Sequence, residues 1–293
     1  LLVRAVQTLA GTSATLWCLT RGVREGAIAG AALWGLGRVV GGEHPELWGG
    51  IVDLDPRDPT GAAGLLRRVI ATQPRDDVIS IRDVRLEVAR LAPIEGIPTR
   101  GPLTCRPDAT YLVTGGLGAL GLAVAEWLAG KGARRLVLAG RRALPPRREW
   151  DDHADPRIEA VRALEAAGVT VQTVALDISD PDQARRLADL GLPPIRGVVH
   201  AAGVVDNQLL SEVDDAAIEH TFRPKVGGAL VLDELFPPGS LDFFVLFSSA
   251  GQLLGLPGQA TYAAANAVLD AFARTRPDTV SFAWTSWRGM GMS

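Results

Sequence analysis

The stretch TYLVTGGLGALGLAVAEWLA, residues 110–129, decides the fold. Its opening residues, 110–113, form a short run of apolar and β-branched side chains, which predicts a buried strand. Gly116, Gly118 and Gly121 follow with the spacing GxGxxG, and a helix is predicted from there through Leu128. Alone, that spacing is weak. Between a strand and a helix it gains a physical meaning. The glycines let backbone approach a pyrophosphate, and the helix start offers unpaired N–H groups and a positive dipole end. Thr114, Gly116, Leu117, Gly118, Leu120 and Gly121 are therefore the candidate phosphate-binding residues. A glycine-rich turn without a ligand is the bland alternative.

Working outward, strands are predicted at 135–138, 170–176, 197–200, 243–247 and 280–284. Helices are predicted at 156–167, 182–190 and 216–235. Apolar strands alternating with helices predict a doubly wound, Rossmann-like parallel sheet. The second strand ends at Arg141 and Arg142, where an NAD site would place an acidic residue for the ribose hydroxyls. Two guanidiniums suit a 2′-phosphate instead, so the expected cofactor is NADPH. Arg147 and Arg148 read as solvated surface. Asp177 and Ile178 follow the third strand, where a carboxylate could meet an adenine amine. His200 ends the fourth strand, and Ala201, Ala202 and Gly203 behind it are small enough to pass close to a cofactor. His200 itself reads as a packed, hydrogen-bonded histidine.

Toward the N-terminus, strands are predicted at 15–19 and 48–54, helices at 27–40 and 61–71, and two short strands within 78–91. This half is also α/β but has no phosphate loop. The proline-rich, unpatterned segment 93–108 reads as a linker. The predicted division is a non-catalytic, truncated α/β subdomain over 1–104 and a nucleotide-binding catalytic subdomain over 105–293.

Composition narrows the function. The chain has 293 residues, a net charge of −3 and 22% charged residues. That balance gives no electrostatic footprint for nucleic acid or an anionic membrane. No apolar run reaches the ~18 residues of a spanning helix, so no membrane insertion is expected. Two distant cysteines and four histidines argue against a zinc site, and no metal is expected. The cysteine usage suits a reducing, cytoplasmic compartment. The chain opens on Leu1 within patterned sequence and reads as a fragment of something longer.

Ser249 ends the fifth strand, and Tyr262 lies thirteen residues further on, where a helix is expected. Asn266 is four residues after Tyr262, on the same helix face. Lys225 lies upstream, on the helix predicted over 216–235. Hydride addition to a ketone builds charge on oxygen, which Tyr262 could protonate and Ser249 could hold. A nearby ammonium and the oxidised nicotinamide would lower the tyrosine pKa. Lys225 and Tyr262 would also contact the cofactor, and Asn266 could hold a water or orient Lys225.

The strings YLVTGGLGALG (111–121), LAGRR (138–142), HAAGVVDN (200–207), FSSAGQ (247–252) and YAAANAVLDAFA (262–273) resemble the short-chain dehydrogenase/reductase superfamily. More narrowly they resemble ketoreductase domains of type I polyketide synthases. Most single-domain members place Lys four residues after the Tyr; here that slot is Asn266 and Lys225 lies upstream, the exchange typical of synthase ketoreductases. ALWGLGRVVGGEHPELWGGIVDLD (32–55) is similar to the family's structural subdomain, so the resemblance spans nearly the whole chain. The wording of 116–128 and 139–152 resembles actinobacterial, mycobacterial lipid synthases.

The resemblance implies reduction of a β-ketoacyl thioester carried on the phosphopantetheine arm of an acyl carrier protein, among the other domains of a synthase. It also implies stereocontrol positions. Members giving the R (D) alcohol carry Leu-Asp-Asp where this chain has Val205, Asp206 and Asn207. Members giving the opposite alcohol carry Trp where this chain has Leu254. The expected product is the R alcohol. The stretch 273–279 is shorter than the family pattern, and the chain ends at Met292–Ser293, before the expected lid helix. Two rival functions stand beside this one: a stand-alone short-chain alcohol dehydrogenase acting on free ketones, and a non-catalytic reductase-like scaffold within a synthase.

Overall fold

The computed structural model describes residues 1–57, 61–96, 101 and 103–289. The linker reading at 93–108 is therefore described only in part, and Met292–Ser293 lie outside the described residues. Two compact units emerge, each assembled from separated stretches. One comprises Leu1–Pro98, Val205–Phe222 and Ser248–Thr275; the other comprises Thr99–Val204, Arg223–Phe247 and Arg276–Ser293.

The first unit begins with α1 (Leu2–Leu9) and β1 (Leu16–Arg21), then α2 (Ile28–Glu43), β2 (Trp48–Leu54), α3 (Ala63–Thr72), β3 (Val78–Arg82) and β4 (Arg85–Val88). The sheet order is β1-β2-β3-β4, parallel through β3, with β4 antiparallel at the edge. The predicted strand at 48–54 is observed with those bounds. The turn predicted at Arg82–Asp83 joins β3 to β4, and Asp83 and Val84 take positive φ there. Helix α1 has no counterpart among the predicted elements.

The C-terminal end of this sheet is filled by the protein's own charges. Asp53, fully buried at the end of β2, accepts from the Thr20 hydroxyl (2.7 Å) and the Val23 amide (3.2 Å). It pairs with Arg82, whose guanidinium also holds Glu25 (2.7 Å). A buried pair of this kind persists because its remaining hydrogen-bond capacity is also met.

The second unit carries β5 (Thr110–Thr114), α4 (Ala119–Gly130), β6 (Arg135–Gly140), α5 (Pro156–Ala166), β7 (Thr170–Ala175), α6 (Pro181–Arg185) and β8 (Ile195–His200). The chain continues with α7 (Asp215–Phe222) in the first unit, α8 (Gly228–Leu235) in the second, and β9 (Phe243–Ser249). Next come α9 (Gly251–Leu254) and α10 (Ala260–Ala273) in the first unit, and β10 (Thr279–Trp284) in the second. The six-stranded sheet has the order β10-β9-β8-β5-β6-β7. Pairings β5–β6, β6–β7, β5–β8 and β8–β9 are all parallel. This is the predicted doubly wound, Rossmann-like sheet.

The strands are apolar because both faces are covered. Leu112, Leu136, Val137, Leu138 and Val198 are fully buried. Asp155 and Asp180 cap α5 and α6 through their carboxylates, each with a proline as the first helical residue. Two predicted helices differ from those observed. The one at 182–190 is regular only over Pro181–Arg185. The one at 216–235 is interrupted by a widened π-type turn, Arg223–Gly227. Pro224 lacks an N–H and two glycines follow at 227 and 228, so the regular ladder is weakest there.

Candidate active site

In the second unit the strand order reverses at β5, whose neighbours are β8 on one side and β6 on the other. Open α/β sheets bind ligands beyond the strand ends at such a point. The turn after β5 is closely packed. A Cβ at Gly121 would overlap the carbonyl of Gly115, and one at Gly116 would sit 2.6 Å from the Val113 oxygen. Gly115 has φ +66° and lies against the backbone of Ala201. Gly118 caps α4 with no side chain of its own. The helix start therefore has N–H groups that no side chain occupies.

Thr114, His200 and the π-type turn form one hydrogen-bonded chain. The His200 Nε2 faces the Lys225 carbonyl (2.8 Å), which can only accept, so Nε2 carries the proton. Nδ1 then accepts from the Thr114 hydroxyl (2.7 Å), whose oxygen accepts from the Ala202 amide (3.3 Å). Burial lowers the His200 pKa to about 4, so the ring is neutral. His200 is thus a packed, hydrogen-bonded histidine. It fixes the backbone of Lys225, a contact for which the residue pattern carries no signal.

The Lys225 side chain is buried and its Nζ donates to the Phe247 carbonyl at 2.8 Å. It lies against Gly203, where a Cβ would be 2.9 Å from Cε. Gly228, in turn, leaves room for His200 and Ile178. At the end of β7, the Asp177 carboxylate accepts from the amide and hydroxyl of Ser179 (3.0 and 2.6 Å) and pairs with Arg223 (3.4 Å).

Arg141 and Arg142 are exposed just beyond β6. Their guanidiniums make no ion pair or hydrogen bond with another described residue. Arg147 and Arg148, read as solvated surface, are exposed and form surface ion pairs with Glu165 (2.6 Å) and Glu149 (3.1 Å). The glycine turn and the uncapped helix start fit a dinucleotide, offering backbone donors for its pyrophosphate.

In the first unit, Ser249, Tyr262 and Asn266 come together. Burial raises the Tyr262 pKa above that of a free tyrosine, and the side chains of Asn266 and Ser249 partly offset this. The sequence-based expectation was a lowering by neighbouring cations; within this unit desolvation prevails. Asn266, fully buried, donates from Nδ2 to the Tyr262 carbonyl at 2.8 Å, which confirms the shared helix face. The Ser248 hydroxyl donates to the Asn266 carbonyl (3.3 Å), and the Ser249 oxygen accepts from the Gly251 amide (3.2 Å). The Ser249 side chain is also hydrogen-bonded to Tyr262.

Helix α2 supports this face. A Cβ at Gly35 would overlap the carbonyl of Ala263, the residue after Tyr262. Val205 and Asp206 are half-buried, and Asn207 is exposed. Leu254 is 58% exposed at the end of α9. Among the described residues no helix is long and apolar enough to cross a membrane.

A parallel sheet with a glycine turn at its switch point, and a serine at a strand end beside a helical tyrosine, define a Rossmann-type reductase of the short-chain dehydrogenase/reductase kind. The KR domain family model matches residues 109–289, and the chain belongs to that family, as a ketoreductase domain of the polyketide synthase type. It is 47% identical over 96% of its length to a phenolphthiocerol/phthiocerol polyketide synthase subunit of Mycobacterium tuberculosis. It is 50% identical over 91% of its length to the 6-methylsalicylic acid synthase of Aspergillus terreus. The chain spans 16% of each of those proteins. Among solved structures, an A1-type ketoreductase matches with a TM-score of 0.85 at 36% identity, covering 99% of this chain and 63% of that one. A C2-type ketoreductase from a modular polyketide synthase matches at 0.86 and 32%, covering 98% and 63%.

Proposed function

We propose that this domain reduces the β-keto group of an acyl-carrier-protein-bound β-ketoacyl thioester to the R (D) β-hydroxyacyl thioester, using NADPH, within a polyketide or lipid synthase. The observation that carries this reading is the Tyr262 hydroxyl, half-buried and acted on by the side chains of Ser249 and Asn266. NADPH, when bound, supplies the hydride. Tyr262 donates its proton to the ketone oxygen as negative charge develops there. Its raised pKa keeps that proton in place at neutral pH. Ser249 holds the same oxygen through its hydroxyl, a role that grows as charge accumulates. Asn266 fixes the Tyr262 helix turn, and Lys225 would supply a cation to the reaction.

For the cofactor, Thr114, Gly116, Leu117, Gly118, Leu120 and Gly121 would cradle the pyrophosphate, and Arg141 and Arg142 the 2′-phosphate. Asp177 and Ile178 would border the adenine, and Ala201, Ala202 and Gly203 would line the nicotinamide side. Residues 105–293 form the catalytic subdomain in this reading and 1–104 the structural one. The Asp53–Arg82 cluster supports the latter role, because it fills a sheet end where a nucleotide would otherwise sit. Val205, Asp206, Asn207 and Leu254 would govern facial selectivity. The carrier protein and neighbouring synthase domains are the partners, and the cytoplasm the setting.

NADPH oxidation followed at 340 nm with a β-ketoacyl thioester tests the reading. The wild type should turn over, and Tyr262→Phe should lose turnover by a factor on the order of hundreds while still binding NADPH. Turnover of free ketones alone would favour a stand-alone dehydrogenase. NADPH binding without turnover would favour the scaffold.

A further inference from the structure

Helix α2 ends on Glu43, whose two carboxylate oxygens serve two different segments. Oε2 accepts from the Leu210 amide (2.7 Å) and Oε1 from the Gly258 amide (2.8 Å). The first segment, 205–210, carries Val205, Asp206 and Asn207. The second, 254–259, begins with Leu254. The segments also meet directly: the Gln208 amide donates to the Gly258 carbonyl (2.9 Å), and Gln208 and Gln259 form a single parallel bridge. The backbone of α2 lies close against the second segment. A Cβ at Gly42 would be 2.6 Å from the Gly255 oxygen, and one at Gly255, where φ is +62°, would overlap the Arg38 carbonyl. From α1, Gln7 Nε2 donates to the carbonyls of Leu210 (2.9 Å) and Val213 (2.8 Å). One carboxylate and one amide therefore hold the loops that bear the stereocontrol positions.

We propose that Glu43 is a positioning residue for the reduction. By joining 205–210 to 254–259 it sets the gap in which the ketone presents one face, and so sets the enantiomer formed. This rests on the reductase reading above. A carboxylate has two acceptor oxygens and no donor, which suits two convergent N–H groups. Glutamine has one acceptor oxygen and one NH2. In Glu43→Gln, one backbone N–H loses its acceptor and faces another donor, and the two segments part at that point.

The experiment uses the purified domain, NADPH and the N-acetylcysteamine thioester of a short β-ketoacid, with product enantiomers resolved by chiral chromatography. Glu43→Gln should keep the wild-type NADPH affinity. Its enantiomer ratio should fall about tenfold, with KM rising more than kcat falls. A folded Glu43→Gln with the wild-type ratio overturns the proposal. If Glu43→Gln does not fold, Glu43→Asp, whose shorter arm cannot reach both amides at once, tests the same linkage: an eroded ratio supports it and an unchanged ratio overturns it. A wild type that oxidises no NADPH sinks the reductase reading and this proposal with it. A wild type that reduces beside an unchanged variant sinks the role of Glu43 alone.

Discussion

His200 is held neutral by its complete burial, which disfavours the imidazolium. Its folded pKa, about 4, lies below the ordinary histidine value of 6.5. The unfolded chain therefore binds the proton more readily between those values. The stabilisation is complete above about pH 6.5 and is lost as pH falls toward 4, by about 3 kcal/mol in all. Thermal melting from pH 7.5 to 4.5 checks this. The wild type should lose stability across that window, and His200→Asn should be less stable at pH 7.5 but flatter. An equally steep decline in the variant would assign the acid sensitivity elsewhere. The grouping of Tyr262, Ser249 and Asn266 could be read from spacing, since a strand end, a following helix and an i, i+4 pair are local features. The link from His200 to the Lys225 carbonyl could not. It depends on a π-type turn that helical periodicity does not announce.

Helix α2 holds α10 and the loops beside it through close backbone approach. Gly35→Ala separates two opposing effects. Alanine favours a helix over glycine by up to about 1 kcal/mol. Against that, the new Cβ would overlap the backbone carbonyl of Ala263, and overpacking costs about 1–3 kcal/mol. The steric effect should win, because backbone cannot rotate away. Gly35→Ala should melt lower and turn over more slowly, since the displaced turn carries Tyr262. Gly64→Ala in α3 is the control. A Cβ there meets nothing within 4 Å, so it should be neutral or mildly stabilising. Urea denaturation of both variants decides; equal stability would remove the close approach as a constraint. The sequence showed α2 as a helix with small residues on one side but not what those residues face. Pattern reports which face is buried, and only the folded chain names its neighbour. The shortened α6 was missed for a related reason: the apolar spacing of 182–190 persists beyond the last regular turn.

Across the whole molecule, the parallel order of the second sheet was foreseeable because apolar strands, turns and helices alternate without a break. The grouping of 205–222 and 248–275 with the first hundred residues was not. Linear order carries no record of which distant segment supplies the covering surface. Cofactor preference belongs at this scale, because a bound ligand stabilises the folded chain as a whole. At a hundred times its dissociation constant, NADPH should add about 2.7 kcal/mol. NADH at equal concentration should add less, and the double variant Arg141→Ala, Arg142→Ala should erase the difference, costing NADPH roughly 10- to 100-fold in affinity. Thermal shift against both nucleotides reads this directly. A double variant that still prefers NADPH would place 2′-phosphate recognition on other residues.

Proton donation by Tyr262 to a β-keto oxygen is tested most directly by single-turnover reduction of a β-ketoacyl thioester by wild type and Tyr262→Phe, each saturated with NADPH. Cofactor binding should be equal, and the variant should lose the reduction step by a factor on the order of hundreds. Reduction by Tyr262→Phe at the wild-type rate would contradict that role.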